Sequence, residues 1–236
     1  MDRRQLIPAV FLAFTVATAA PALAAKPPQT WDGLIQVKTK GFDLVYLAPG
    51  ATFTGYTKIK LDPTEVTFEK NWRRDYNSQG LGVSRDISEK DVQKAITQGV
   101  AGASEIFAEE FNKGGYPVVT EAGPDVLWLR TGVLNVRVSA PDTMDPGRTY
   151  SFANDAGEAT YFIEVRDSQT GALLGRAVDR RVVGDNTYGQ RNRVTNRMDF
   201  RRVVERWAEL SLRGLNELKA RSPISDTGQP APAPPK

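Results

Sequence analysis

Neither cysteine nor histidine occurs among the 236 residues. Without a thiol the chain forms no disulfide, offers no thiolate nucleophile, and supplies no ligand for an iron–sulfur cluster or a thiolate zinc site. Without imidazole it lacks the usual general base and the commonest ligand of zinc, copper and non-haem iron. A phosphate-cradling glycine loop is missing too: Gly80-Leu81-Gly82 has no third glycine, no lysine and no buried strand before it. No cofactor, metal ligand set or catalytic residue is therefore nominated. What is present, 40% hydrophobic, 25% charged and 9% aromatic residues, is the composition of an ordinary globular chain.

The N-terminus reads as an export address. Arg3 and Arg4 precede an apolar run from Leu6 to Ala20, and Ala22-Leu23-Ala24 offers small residues where a signal peptidase cuts. The run is too short for a bilayer, which takes ~20 residues, so residues 1–24 are expected to be a signal peptide cleaved between Ala24 and Ala25. No other stretch is long and apolar enough to span a membrane. The mature protein is then expected in the periplasm, with no transmembrane anchor and no cysteine for lipid attachment.

Both ends of the mature chain look unstructured. Residues 25–30, with Lys26-Pro27-Pro28, are expected to be an extended linker, and residues 222–236, closing on Gln229-Pro230-Ala231-Pro232-Ala233-Pro234-Pro235, a Pro-rich disordered tail. Residues 31–221 are expected to form one domain. Ser88 and Asp91 make a capping-box start, after which Val92, Ile96, Val100, Ala103, Phe107 and Phe111 repeat at helical spacing until Gly114-Gly115. A second helix is expected from about Asp199 to Ala220, with Asn196 near its cap and Phe200, Val203, Trp207, Leu210, Leu215 and Leu218 inward.

Strands are expected around Phe42–Tyr46, Ile59–Leu61, Val66–Phe68, Val126–Val138, Tyr161–Val165 and Leu173–Val183. Apolar parity switches across Asp62-Pro63, so the chain must break or bulge there. Residues 140–157 are expected to be an irregular connection. Strands grouped rather than alternating with helices imply an α+β fold: a mainly antiparallel, mixed sheet with two amphipathic helices packed on it in two layers.

Few constellations point to chemistry. Asp142-Thr143-Met144-Asp145 lacks the spaced carboxylates and closing Glu of a calcium loop. Asp167-Ser168-Gln169-Thr170-Gly171 is explained by an acidic residue capping its own turn. Charge is less evenly spread. Residues 166–221 carry 13 Lys and Arg against 7 Asp and Glu, and 12 of those cations are Arg. Arg191, Arg193 and Arg197, among Asn186, Gly189, Asn192 and Asn196, have loop composition and no Asp or Glu among them, so they are the first candidates for a partner contact. Arg binds carboxylate and phosphate through a planar fork, which points to an anionic envelope component or an envelope protein, and not to nucleic acid. Trp72, Arg73 and Tyr76 are the second candidates, because Trp, Tyr and Arg are enriched at interface hot spots. The function read from these features is a non-catalytic binding or assembly component of the envelope. The alternative is a carboxylate-based hydrolase acting on an envelope glycan, which needs two converging acids.

Several short motifs carry a family resemblance. They are Tyr46-x-x-Pro49-Gly50, then Phe53-x-x-Tyr56-Thr57-Lys58-Ile59-x-Leu61-Asp62-Pro63, Gly123-Pro124-x-Val126-Leu127, Glu164-x-x-Asp167-Ser168-x-Thr170-Gly171, Val178-Asp179-Arg180-Arg181 and Trp207-Ala208. In these the chain resembles a family of bacterial lipoproteins known as a domain of unknown function, number three-three-one-three. The resemblance implies an envelope location and a mixed α/β domain, and brings no activity or catalytic residues. It departs in one respect: such proteins are expected to carry a lipid-anchored Cys, and this chain has none.

Overall fold

A computed structural model describes residues 27–78, 86–139, 151–153, 156–184, 189–191, 193–225 and 227. The expected signal peptide, its Ala24–Ala25 junction and the Asp142–Asp145 stretch lie outside the described residues. In chain order the elements are β1 (Thr30–Trp31), β2 (Leu34–Val37), β3 (Leu44–Leu47), β4 (Lys58–Leu61), β5 (Glu65–Phe68), α1 (Trp72–Ser78), α2 (Glu89–Lys113), β6 (Val118–Val119) and β7 (Val126–Val138). There follow β8 (Ser151–Ala153), β9 (Gly157–Asp167), β10 (Leu173–Val183), β11 (Gly189–Arg191) and α3 (Arg193–Ala220). The fold is α+β, with the helices packed on a mixed, mostly antiparallel sheet.

The main sheet has nine strands in the order β1-β2-β3-β10-β9-β7-β4-β6, with β5 also on β7. Long β7 is the organiser. One edge pairs antiparallel with β9; the other takes β4 opposite Val126–Leu129, then β5 opposite Gly132–Val136, both parallel. The parity switch at Asp62-Pro63 is the break between those two short strands. Thr64 sits buried at the break, its hydroxyl 2.8 Å from that of Thr131 and its amide donating to Ser104 Oγ of α2 at 2.9 Å. At the opposite edge, Asp32-Gly33 turns β1 into β2 with φ of 51° and 82°, the two left-handed residues of a tight hairpin.

Helix α2 starts as its sequence prescribes. The Asp91 amide donates to Ser88 Oγ at 3.2 Å and the Ser88 amide to Asp91 Oδ2 at 3.0 Å. At its other end Gly114 lets α3 pack closely, since a Cβ there would lie 2.4 Å from Leu212 Cδ1 and that side chain would have to shift. The two helices close one face of the sheet over Leu127, Leu129, Val133, Tyr161, Ile163 and Ala177. A ring stack runs through this core, Phe107 to Tyr161 at 5.4 Å and Tyr161 to Trp207 at 5.3 Å.

Four boundaries differ from expectation. Helix α3 begins at Arg193 rather than Asp199, and Asn196 is buried inside it instead of capping it. Nothing between the two starts, neither Gly nor Pro, breaks a helix. The 25–30 segment is no free linker where it is described: the Tyr46 hydroxyl donates to the Pro28 carbonyl at 2.9 Å and the Gln36 amide to the Gln29 carbonyl at 2.9 Å. Ordered structure also continues past Arg221. Ile224 is 2% exposed, and its amide donates to the Ala51 carbonyl at 2.8 Å while its carbonyl accepts from the Gly50 amide. Within 140–157, residues of β8 pair with β11. The Ile224→Ala variant should lose about 2–5 kcal/mol of stability, the cost of emptying a buried aliphatic site; denaturant unfolding within 0.5 kcal/mol of the parent would show that these last residues only rest on the surface.

Candidate functional site: the helix-free face of the sheet

Strand alternation sorts β9, β10 and the part of β7 before Asn135. Odd-numbered side chains such as Leu129, Tyr161, Ile163 and Ala177 point to the helices. Even-numbered ones, Trp128, Arg130, Phe162, Glu164, Arg166, Arg176 and Arg180, share the other face. Cross-strand register then aligns Arg130, Glu164, Arg176 and Tyr46 in one row.

Glu164 is the hub of that row. Its side chain is 5% exposed, with Oε2 accepting from Arg176 Nε at 2.9 Å and Oε1 accepting from Arg166 Nε. Arg130 Nη1 lies 3.5 Å from Oε1. Arg176 reaches onward to Asp32 Oδ2 at 2.6 Å, and its guanidinium lies 4.6 Å from the centre of the Trp31 ring. Burial alone raises the pKa of the Glu164 carboxyl, but the hydrogen bonds from Arg166 and Arg176 outweigh it and hold the value below the ordinary one. A depressed folded-state pKa contributes stability above the unfolded value of about 4.3, and that contribution is lost as pH falls through the folded value. An acid titration of unfolding free energy should therefore steepen below about pH 4.3, and Glu164→Gln should remove that part of the slope. An unchanged acid limb in the variant would rule this carboxylate out as its source.

The second cluster owes its existence to a bulge. Leu134 opposes Thr160 and Arg137 opposes Glu158, so β7 carries one residue more than β9 between those points, and β5 shows the same shift. Asn135 takes up the extra residue at φ 52°. Parity flips there: Val136 turns into the core and Arg137 onto the helix-free face. Arg137 Nη2 lies 3.4 Å from Glu158 Oε2, and Arg180 Nε donates to Glu158 Oε1. Beside them, with Glu69, Lys70, Asn135 and Thr160, a depression of about 630 Å³ opens.

A family profile described as "Protein of unknown function (DUF3313)" matches residues 26–211. The chain belongs to that family. A search of curated proteins finds no match. Among solved structures this DUF3313 chain is similar to the PelC dodecamer from Paraburkholderia phytofirmans, at 13% identity and a TM-score of 0.36, over 70% of this chain and 94% of that one. It is similar as well to the lipoprotein GNA1162 from Neisseria meningitidis, at 14% identity and a TM-score of 0.23, over 64% of this chain and 98% of that one.

In the DUF3313 chain the residues singled out from sequence fall on different elements, Trp72, Arg73 and Tyr76 on α1 and the three arginines on β11 and α3. Arg191 lies in β11, and Arg193 and Arg197 lie on the first turns of α3, not in a loop; Arg197 is exposed. Their neighbours further along are already paired, Arg201 with Glu205 at 2.8 Å and Arg202 with Asp199 at 3.4 Å. Trp72 does not present its ring outward. It is 8% exposed, stacked at 4.8 Å on Phe68 and 6.1 Å from Tyr76, and its Nε1 donates to the Val138 carbonyl at 3.1 Å. The aromatic that looked like an interface anchor seals the end of the core instead. Arg73 stays accessible, 3.5 Å from Glu89.

Asp167 caps its own turn, as its spacing implied. Its Oδ1 accepts from the amides of Gln169 at 3.1 Å and Thr170 at 2.7 Å. No cluster of three metal-ligating side chains occurs among the described residues, and no helix among them is long and apolar enough to cross a membrane. Of the arginines on the helix-free face, Arg180 belongs to the Arg-rich stretch that the sequence marked out, whereas Arg130, Arg166 and Arg176 escaped notice although they occupy even positions of alternating strands.

Proposed function

We propose that this DUF3313 protein is an exported, non-catalytic binding or assembly component of the cell envelope that engages an anionic partner through the helix-free face of its sheet. One observation carries the reading. At two points on that face a deep carboxylate sits beside an exposed guanidinium: the Glu164 and Glu158 side chains are 5% and 17% exposed, whereas Arg130 and Arg180 are 49% and 69% exposed. At those two points the acids hold the arginines, and the groups offered to a partner are cationic. The N-terminal layout supports export to the periplasm, where the partner would be met.

The test combines location with binding. The protein should appear in the periplasmic fraction with Ala25 as its N-terminus by mass spectrometry. The purified mature form should cosediment with envelope membranes and walls, less so as salt rises and charges are screened. Intact Met1 in the cytosol, or no cosedimentation at low salt, would sink the proposal. One observation favours a second reading, a carboxylate-based glycan hydrolase: Glu69 and Glu158 line the same depression. Turnover of a glycan panel that disappears in Glu69→Gln would establish it over the first.

A further inference from the structure

We infer that the depression beside the β7 bulge binds the oxyanion of an acidic saccharide, a sugar phosphate or a sugar carboxylate, with Arg137 and Arg180 as its anion fork. The inference rests on the binding function proposed above and narrows it to a ligand class and a place. Glu158 uses Arg180 Nε and Arg137 Nη2. The remaining guanidinium nitrogens of both residues have no protein acceptor among the described residues, and the side chains are 44% and 69% exposed, so donors are left for an external acceptor. A carboxylate or phosphate oxygen pair matches such a fork, and bonds between charged partners are about twice as strong as neutral ones.

Charge decides the sign of the ligand. Lys70, Arg137 and Arg180 line the depression against Glu69 and Glu158, and Glu158 is already occupied by two of the cations. The chemistry of the remaining wall decides the class. Thr160 supplies a hydroxyl, Asn135 an amide and Glu69 an acceptor, groups that pair with sugar hydroxyls; no lining residue is apolar, which disfavours an acyl chain. A volume of about 630 Å³ lies within the usual range for small-molecule sites. The backbone adds an independent observation. Asn135 holds φ 52°, a left-handed conformation that Asn accepts more readily than most residues, and it is this bulge that brings Arg137 to the site at all.

The test is calorimetric titration of the mature protein, at low salt, with glucose 6-phosphate, glucuronate, glucose and inorganic phosphate. At least one of the two acidic sugars should bind, and more tightly than glucose or inorganic phosphate; which one it is distinguishes phosphate from carboxylate. Replacing Arg137 and Arg180 together with Gln should weaken that binding by about tenfold or more. Lys94→Gln, on the exposed side of α2, should leave it unchanged. Both arginines are partly exposed, so a circular dichroism melt matching the parent should confirm that the double variant folds. Silence of all four probes overturns the inference, as does glucose binding equal to that of the acids, phosphate binding equal to that of the acids, or indifference to the double substitution. If the probes are silent while the parent still cosediments with envelope, the ligand class fails and the binding function stands. Loss of cosedimentation itself removes both.

Discussion

Trp207→Ala should lower the unfolding free energy by about 3–5 kcal/mol, the range for emptying a buried aromatic site. The indole is 1% exposed and stacks on Tyr161, so alanine leaves a cavity at the centre of the contact between α3 and the sheet. It also removes a polar partner. Trp207 Nε1 donates to Asp179 Oδ2 at 2.8 Å, and Asp179 is fully buried. That carboxylate accepts besides from Arg181 Nε at 2.7 Å, from Arg181 Nη2 at 2.9 Å, and from the Asp43 amide at 3.2 Å. A buried charge that loses a donor is costly even when others remain. Trp207→Phe separates the two losses: it keeps most of the volume and should cost about 1–3 kcal/mol for the missing donor. Urea unfolding should show lower midpoints with unchanged slopes. A Trp207→Ala midpoint matching the parent would mean that α3 does not unfold together with the sheet.

Gly157→Ala should be nearly as damaging, for a backbone reason. Gly157 has φ 147°, where L-residues are strained, and a Cβ there would lie 1.8 Å from the Arg137 carbonyl oxygen. Neither side can yield cheaply, because both atoms belong to paired strands at the point where β9 meets the bulged end of β7. Strain at such a residue costs about 1–3 kcal/mol before any clash is counted, and overpacking adds about 1–3 kcal/mol more. For a domain of this size each kcal/mol lowers the melting temperature by roughly 2–4 °C. The substitution should also displace Glu158 and with it the Arg137–Arg180 pair, so saccharide binding should fall along with stability. Gly102→Ala supplies the contrast. Its Cβ would meet nothing within 4 Å on α2, so it should stabilise by about 0.5–1 kcal/mol. Melting temperatures moving in the same direction for both variants would contradict this account.

Much of the scaffold was legible in the letters. The limits Val126–Val138 and Leu173–Val183 follow from alternation between turn residues, and α2 from a capping box at one end and two glycines at the other. The elements that escaped are short or unmarked. Strand β1 is two residues long and β8 three, below the length at which alternation can be told from chance, although Asp32-Gly33 was a hairpin signal in plain view. For α3 the sequence offers Asn196 as a cap residue close to the apolar stripe, so local chemistry favoured a start near Asp199 over the one at Arg193. The Trp72 segment has the composition of an interface; burial against Phe68 and the bond to Val138, 66 residues away, make it core.

Taken alone, the sequence determined that neither thiolate nor imidazole chemistry is available, that the strands are grouped and the fold α+β, and that the chain carries the motifs of its family. It also assigned most side chains to a face, because alternation is a property of each strand by itself. Which charges meet on a face was decided only by the tertiary structure. Arg176 and Asp32 are 144 residues apart, Arg180 and Glu158 are 22, and Trp207 and Asp179 are 28. Such pairs depend on strand order and register, which no single strand encodes. At the candidate site they depend further on one extra residue at Asn135, since a bulge reverses the parity of everything after it, and Arg137 reaches the helix-free face for that reason.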